Sequence, residues 1–154
     1  MSRVLLIAAD HPLPLWDKQE ERTCTVTLSD LPKLGEDAGK TVSVTALRGF
    51  RVAEHAYYRS AVDDLALPLK PFQYELELDC CPEDLEQFLA YLSANFAPGE
   101  EAELWNLWVG TDDLGRPPHF QGPLSQFDLD TLKQFLMPLH EDGGLGLCRM
   151  TVII

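Results

Sequence analysis

Aspartate and histidine side chains on irregular stretches are the first residues in this chain that could do catalytic chemistry. Asp10 and His11 follow an apolar run, residues 4–9, and nearby prolines exclude regular hydrogen bonding, which places both on a loop. A carboxylate beside an imidazole can orient the ring for general acid or base work. Together with His119, which follows a turn-rich stretch, they predict one alternative for the function: a small hydrolase-type enzyme with a loop-borne Asp/His site.

Motifs that signal metal, cofactor or nucleophilic chemistry are missing from the sequence. His55 has an adjacent carboxylate, Glu54, but none of the histidines has the spacing of a zinc site. There is no nucleophile elbow, P-loop or dinucleotide fingerprint. The cysteines form no C-x-x-C pair, so we expect no disulfide framework, and Cys24 and Cys148 are predicted to be small buried hydrophobes. We therefore expect no metal and no cofactor.

Three carboxylates share one face of a predicted strand. Glu75, Glu77 and Asp79 alternate with apolar residues over positions 72–79, a period of two that is typical of a strand with one apolar and one acidic face. A solvated face is the ordinary interpretation. The alternative is a site for a hard divalent cation, provided that other oxygens complete its coordination shell.

A second acidic segment, residues 99–113, contains two tryptophans. Trp105 and Trp108 lie on opposite faces of a predicted strand, so both can be core anchors. The functional interpretation places one tryptophan at the surface, as an aromatic anchor for a basic protein. The acidic rim around that anchor would consist of Glu100, Glu101, Glu103, Asp112 and Asp113.

The charge of the chain is lopsided, which constrains its partners. The formal net charge is −13; residues 1–60 hold eight acids and eight bases, whereas residues 61–154 hold seventeen acids and four bases. Such a surface repels phosphate, so nucleic acid and anionic membranes are not expected partners. Acidity for solubility alone is the plain alternative. We predict a non-enzymatic acidic binding protein that captures a basic protein partner through residues 75–79 and 100–113.

Hydrophobic periodicity predicts the elements that position these residues. The continuous apolar run over residues 3–9 predicts a central strand that is buried on both faces. Residues 23–28 and 41–46 alternate and predict a half-buried antiparallel hairpin. Further strands are predicted at 72–79, 102–109 and 147–154, and helices at 52–65, 82–96 and 128–136.

This order of elements predicts a single α+β domain over residues 1–154. We expect a mixed, mostly antiparallel sheet with two to three helices packed on one face. The last strand, residues 147–154, carries few charges and would favour self-association if it lay at an uncovered edge. The apolar runs are too short for a membrane span, and no signal peptide is apparent, so we expect a cytoplasmic protein.

A helix that leads into the string E-L-W-N-L-W-V-G, residues 103–110, resembles bacterial immunity proteins that neutralise basic toxins. It also resembles small bacterial proteins of unassigned role. The resemblance covers residues 84–113. It implies a basic protein partner and assigns no catalytic residue.

Overall fold

The computed structural model describes residues 2–27, 41–110, 119–138 and 147–154. Three α-helices lie in these ranges: α1 (Arg59–Asp63), α2 (Pro82–Asn95) and α3 (Leu129–Leu136). The strands are β1 (Ser2–Ala9), β2 (Trp16–Asp17), β3 (Glu20–Thr27), β4 (Thr41–Arg48), β5 (Arg51–Glu54), β6 (Phe72–Glu77), β7 (Glu101–Val109), β8 (His119–Pro123) and β9 (Cys148–Ile153). No helix in the described ranges is long and apolar enough to cross a membrane.

Seven strands form one sheet in the order β2-β5-β6-β1-β7-β9-β8. Every neighbouring pair is antiparallel except β8 and β9, which run parallel. The predicted α+β class with a mixed, mostly antiparallel sheet is therefore confirmed. The apolar run of β1 occupies the centre of the sheet, as its lack of polar positions predicts.

The sheet is covered on both faces, which corrects the prediction that helices pack on one face only. Leu5 and Ile7 of β1 face a core shared with α2 and α3, which we call the first face. Val4 and Leu6 point the other way and pack with Val62 of α1, on what we call the second face. A strand that is apolar on both sides requires a covering layer on both sides.

Strands β2 to β5 form one long hairpin that bends. Asp17 pairs with Arg51 at its base, and Thr27 pairs with Thr41 at the far end of the same register. At Gly49 the hairpin passes from the two-stranded sheet of β3 and β4 to the seven-stranded sheet of β2 and β5. The φ of Gly49 is +132°, a value that other residues rarely adopt. Beyond the bend, β3 and β4 form a separate two-stranded sheet, which we call the ribbon.

The ribbon is antiparallel as predicted, but the prediction that one of its faces is buried is wrong. Val42 and Val44 are 43% and 45% exposed, and Cys24 is also exposed. Cys148, in contrast, is buried as predicted, and burial raises the pKa of its thiol to about 11. Period-two alternation identifies residues that share a face, but it does not show whether a second layer covers that face.

Two further elements differ from the predictions. The predicted helix over residues 52–65 is split: β5 pairs with β6, and only Arg59–Asp63 is helical. The last strand, β9, is not an edge, because β8 pairs with it on the side away from β7. Self-association through an uncovered C-terminal strand is therefore contradicted. Helix α3 begins as predicted at Asp128, whose side chain accepts a hydrogen bond from the Thr131 backbone N–H at 2.8 Å.

Candidate functional site

Two of the three predicted strand-face acids, Glu77 and Asp79, are paired with bases from the bent hairpin. Glu77 accepts from the Arg51 guanidinium at 3.4 Å and from the Gln19 amide at 2.5 Å. Asp79, just beyond β6, lies 3.0 Å from Arg22 and 3.1 Å from Arg48. Within the described ranges, no group of three or more His, Cys, Asp or Glu side chains could hold a metal ion. The divalent-cation alternative therefore has no support in the described part of the chain.

A buried ion pair fixes the hairpin to the start of α2. Asp84 is fully buried, and its Oδ1 accepts from Arg22 Nη2 at 2.9 Å. Its Oδ2 accepts from the backbone N–H of Asp79 at 2.7 Å. The hydrogen bond to Asp84 is the main cause that raises the pKa of Arg22. Sequence reasoning missed this pair, because an acid in the first turn of a helix is usually explained by the helix dipole alone.

The tryptophans of β7 do not form a surface anchor. Trp105 is 1% exposed and packs on the second face with Leu6. Its ring also lies beneath the Arg149 guanidinium, 5.0 Å from the ring centroid. Trp108 is only partly buried and packs against the same cluster. Trp105 is therefore a core residue, as the structural interpretation of this segment predicts.

The predicted acidic rim is dispersed rather than assembled. Glu103 is 3% exposed and accepts hydrogen bonds from Arg149 at 2.6 Å and from the Lys70 backbone at 2.9 Å. Glu100 pairs with His11. Glu101 is exposed and has no ion pair with another described residue. Asp112 and Asp113 lie outside the described residues.

His11 lies in a shallow pocket at one end of the sheet, together with Asp10. Its Nε2 is 2.7 Å from a Glu100 oxygen, and its Nδ1 is 3.0 Å from the Pro12 carbonyl. Both partners are acceptors, so these contacts favour the imidazolium form of the ring, in which both nitrogens donate. The hydrogen bond to the Pro12 carbonyl, assisted by Glu100, raises the pKa of His11. The Asp10 carboxylate pairs with Lys70 instead of His11.

The structure does not bring His119 to this pocket. His119 lies on β8, three strands away from β1, and its Nε2 is 3.1 Å from Thr151 Oγ1. His119 pairs with Arg149 of β9, which pairs with Trp105 of β7, which in turn pairs with Leu6 of β1. His119 is therefore level with the interior of β1, whereas His11 lies beyond the end of that strand. An imidazolium in an ion pair is also a poor general base. The Asp/His hydrolase site is therefore not assembled.

A cleft of about 340 Å³ opens near the acids of β6, where β1 and β6 separate. Its lining combines apolar residues of both strands with charged side chains and the base of the ribbon. The residues that line it are Arg3, Val4, Leu5, Gln19, Leu47, Arg48, Gly49, Tyr58, Glu75, Leu76, Glu77, Leu78 and Asp79. The cleft thus contains the three carboxylates that the sequence singles out on one strand face.

Glu75 differs from the other two carboxylates of the cleft. Its Oε1 is buried and has no hydrogen-bond partner among the described groups. Among the described residues, the basic side chain within 4 Å of this carboxylate is that of His55, whose Nδ1 lies 3.5 Å away, beyond good hydrogen-bonding geometry. The His55 side chain is itself fully buried, and neither of its ring nitrogens has a described partner. Unsatisfied groups of this kind are uncommon in folded proteins and call for an explanation.

The helical layer on the first face carries exposed acids that have no ion pair in the described ranges. Glu83 and Glu86 are exposed on α2, a helix that contains no Lys or Arg. Asp128 and Asp130 are exposed at the start of α3, which packs beside α2. None of the four has an ion pair with another residue in the described ranges. We call these four residues the acidic helical face.

No protein-family model, curated protein or solved structure matches this chain significantly. Its function must therefore be inferred from the geometry and charge of its own residues.

Proposed function

We propose that this protein is a non-enzymatic acidic binding protein that captures a basic protein partner. The observation that carries the proposal is the contrast between the two sets of acids. Those of the sheet, such as Glu77 and Asp79, are paired with arginines. Those of the acidic helical face are exposed and have no ion pair with another residue in the described ranges. Two neighbouring helices therefore carry four carboxylates that no described cation compensates.

Such a surface favours fast association with a positively charged partner. Exposed charges of one sign raise the encounter rate with an oppositely charged protein, and the effect decreases with ionic strength. The paired acids of the sheet segment contribute less to this field, because Asp79, Glu77 and Glu103 each have a cation within about 4 Å. The acidic helical face thus replaces residues 100–113 as the surface that first meets the partner.

A role like that of an immunity protein, which neutralises a basic toxin, is the form of this proposal that the sequence resemblance favours. Capture requires no catalytic group, which agrees with the engagement of His11 in an ion pair. The partner would be a folded basic protein that the chain meets in the cytoplasm, the compartment predicted from the sequence.

The proposal is tested by neutralising the acidic helical face and comparing it with a matched control. Glu83→Gln/Glu86→Gln removes two charges from α2, and Asp63→Asn/Asp64→Asn removes two exposed charges beside α1, on the second face. Wild-type protein should retain a basic protein in stoichiometric amount from a lysate at low salt. The α2 variant should bind that protein about tenfold more weakly, the sum of two contacts of up to about 1 kcal/mol each.

The control variant should bind as wild type does, because its charges lie on the other side of the sheet. Equal losses in the two variants would show that total charge alone matters and would remove the acidic helical face from the proposal. Retention of no basic protein by wild type would contradict the proposed function itself.

A further inference from the structure

The two central strands β1 and β6 separate before either of them ends. Their pairing stops at Leu6 opposite Glu75. Strand β1 nevertheless extends back to Ser2, and β6 extends forward to Glu77. The 340 Å³ cleft lies between these two ends. We call this opening the seam; its edges are residues 3–5 of β1 and residues 76–77 of β6.

The edges of the seam present backbone groups that lie beyond the last paired residues of β1 and β6. Alternate residues of a strand turn their N–H and C=O groups to the same side, so at least one of Arg3, Val4 and Leu5 directs them toward β6. Val4 and Leu5 are only 4% and 8% exposed. The register of β1 with β6 pairs none of residues 3–5 with residues 76–77. Buried backbone groups are nearly always paired, so the seam is suited to a ligand that brings a backbone of its own.

We propose that the seam receives an extended peptide segment of the partner, which adds a strand between β1 and β6. Strand addition satisfies exposed edge groups through main-chain hydrogen bonds and selects side chains by alternation. A strand residue fills about 160 Å³, from a rise of about 3.4 Å, a strand spacing of about 4.8 Å and a layer spacing of about 10 Å. The cleft of about 340 Å³ therefore accommodates about two residues.

The two faces of the seam differ, which predicts the side chains of the inserted peptide. On the second face, the unpaired Oε1 of Glu75 lines the cleft and is backed by buried His55. A lysine or arginine of the peptide would supply the missing donor. On the first face, Leu5, Leu76 and Leu78 belong to the apolar core. The peptide should therefore alternate a cationic residue with an apolar one, a preference that rests on the proposed function for the basic character of the partner.

Hydrogen exchange and a synthetic peptide test this inference without the natural partner. The probe is an acetylated, amidated pentapeptide that alternates valine and lysine, added at millimolar concentration. In the free protein, at least one amide of residues 3–5 should exchange faster than those of residues 6–8, which are paired on both sides. The probe should slow exchange at the seam. The same peptide with N-methylated backbone nitrogens should not, because it cannot donate the main-chain hydrogen bonds.

Side-chain selectivity gives a second readout. Glu75→Gln should weaken binding of the lysine peptide by about tenfold, the equivalent of a lost hydrogen bond between charged groups. The matched control is Glu101→Gln, an exposed acid outside the cleft, which should leave binding unchanged. A peptide with glutamate in place of lysine should bind more weakly than the lysine peptide to wild-type protein.

Three results would overturn the inference. The amides of residues 3–5 could all be as protected in the free protein as those of residues 6–8, which would mean that the seam is closed. The N-methylated peptide could bind as well as the probe. Dilution of the free protein could deprotect the seam as a dimer dissociates, which would make a second copy the occupant. The Glu83→Gln/Glu86→Gln test is independent, because these residues lie outside the cleft, so failure of the seam leaves the proposed function standing.

Discussion

At the scale of single residues, Arg22 links three parts of the chain. Its guanidinium contacts Asp79 after β6, buried Asp84 on α2 and Glu20 on its own strand. Arg48 also contacts Asp79, but its side chain is 55% exposed and it does not contact Asp84. The two arginines therefore offer a direct comparison between a cation that compensates a buried carboxylate and one that does not.

Arg22→Ala should destabilise the fold by about 3 kcal/mol, because it leaves the buried Asp84 carboxylate without its cation. Arg48→Ala should cost less than about 1 kcal/mol, as is usual for exposed pairs. Urea unfolding of the two variants measures the difference. Similar losses in both would show that Asp84 does not depend on Arg22.

His11 should make the stability depend on pH. Its folded-state pKa is raised, mainly by the Pro12 carbonyl and also by Glu100, so its contribution is fully present below the unfolded-state value of about 6.5. That contribution is lost as the pH rises through the folded-state pKa. The free-energy difference between wild type and His11→Gln, less than about 1 kcal/mol for such an exposed pair, should therefore shrink between pH 5.5 and 8.5 in denaturant unfolding. A difference that grows with pH would contradict the imidazolium assignment.

At the scale of elements, the bent hairpin depends on Gly49. A Cβ at this position would lie 2.9 Å from the Lys18 carbonyl oxygen, and the φ of +132° is unfavourable for any side chain. Gly49→Ala should therefore destabilise the protein by about 1–3 kcal/mol. Gly99 is a matched control, because its φ of +88° is also positive but a Cβ there would meet nothing within 4 Å.

Gly99→Ala should accordingly cost less than Gly49→Ala in the same urea titration. Equal losses would mean that backbone conformation alone, and not the contact with Lys18, determines the requirement for glycine at the bend.

Local patterns predicted the elements well where the residues themselves carry the signal. The apolar run of β1, the Pro82 start of α2 and the Asp128 cap of α3 each depend on a few neighbouring residues. The division of residues 52–65 between β5 and α1 was not predictable in this way, because Val52 pairs with Leu76 across a sheet. The exposure of the ribbon was also missed, because alternation along a strand does not show whether a second layer covers its apolar face.

The candidate site was less predictable than the fold. Glu75, Glu77 and Asp79 were recognised from their alternation, but their partners were not. The contact between Arg22 and Asp84 spans 62 positions, and only the folded hairpin brings the two side chains together. His11 and His119 illustrate the opposite error, since both were assigned to one loop-borne site, yet His11 lies beyond the end of β1 and His119 lies on β8.

At the scale of the whole molecule, folding redistributes charge. Bases from the first part of the chain pair with acids that follow, as in the contacts of Arg51 with Glu77 and of Arg22 with Asp84. The acidic helical face keeps its exposed charge, within a chain whose net charge is −13. A folded protein of this kind should meet a basic partner through its helices and hold it through contacts that include the seam.

The salt dependence of association tests the central claim most directly. Association and dissociation rates with the captured basic partner should be measured by stopped flow from 20 to 500 mM salt, for wild type and for Glu83→Gln/Glu86→Gln. The account predicts that the wild-type association rate falls steeply with salt, since exposed charges are screened beyond about 10 Å at 0.1 M. It also predicts a shallower slope for the variant. A wild-type association rate that is indifferent to salt, or equal slopes for the two proteins, would contradict capture through the acidic helical face.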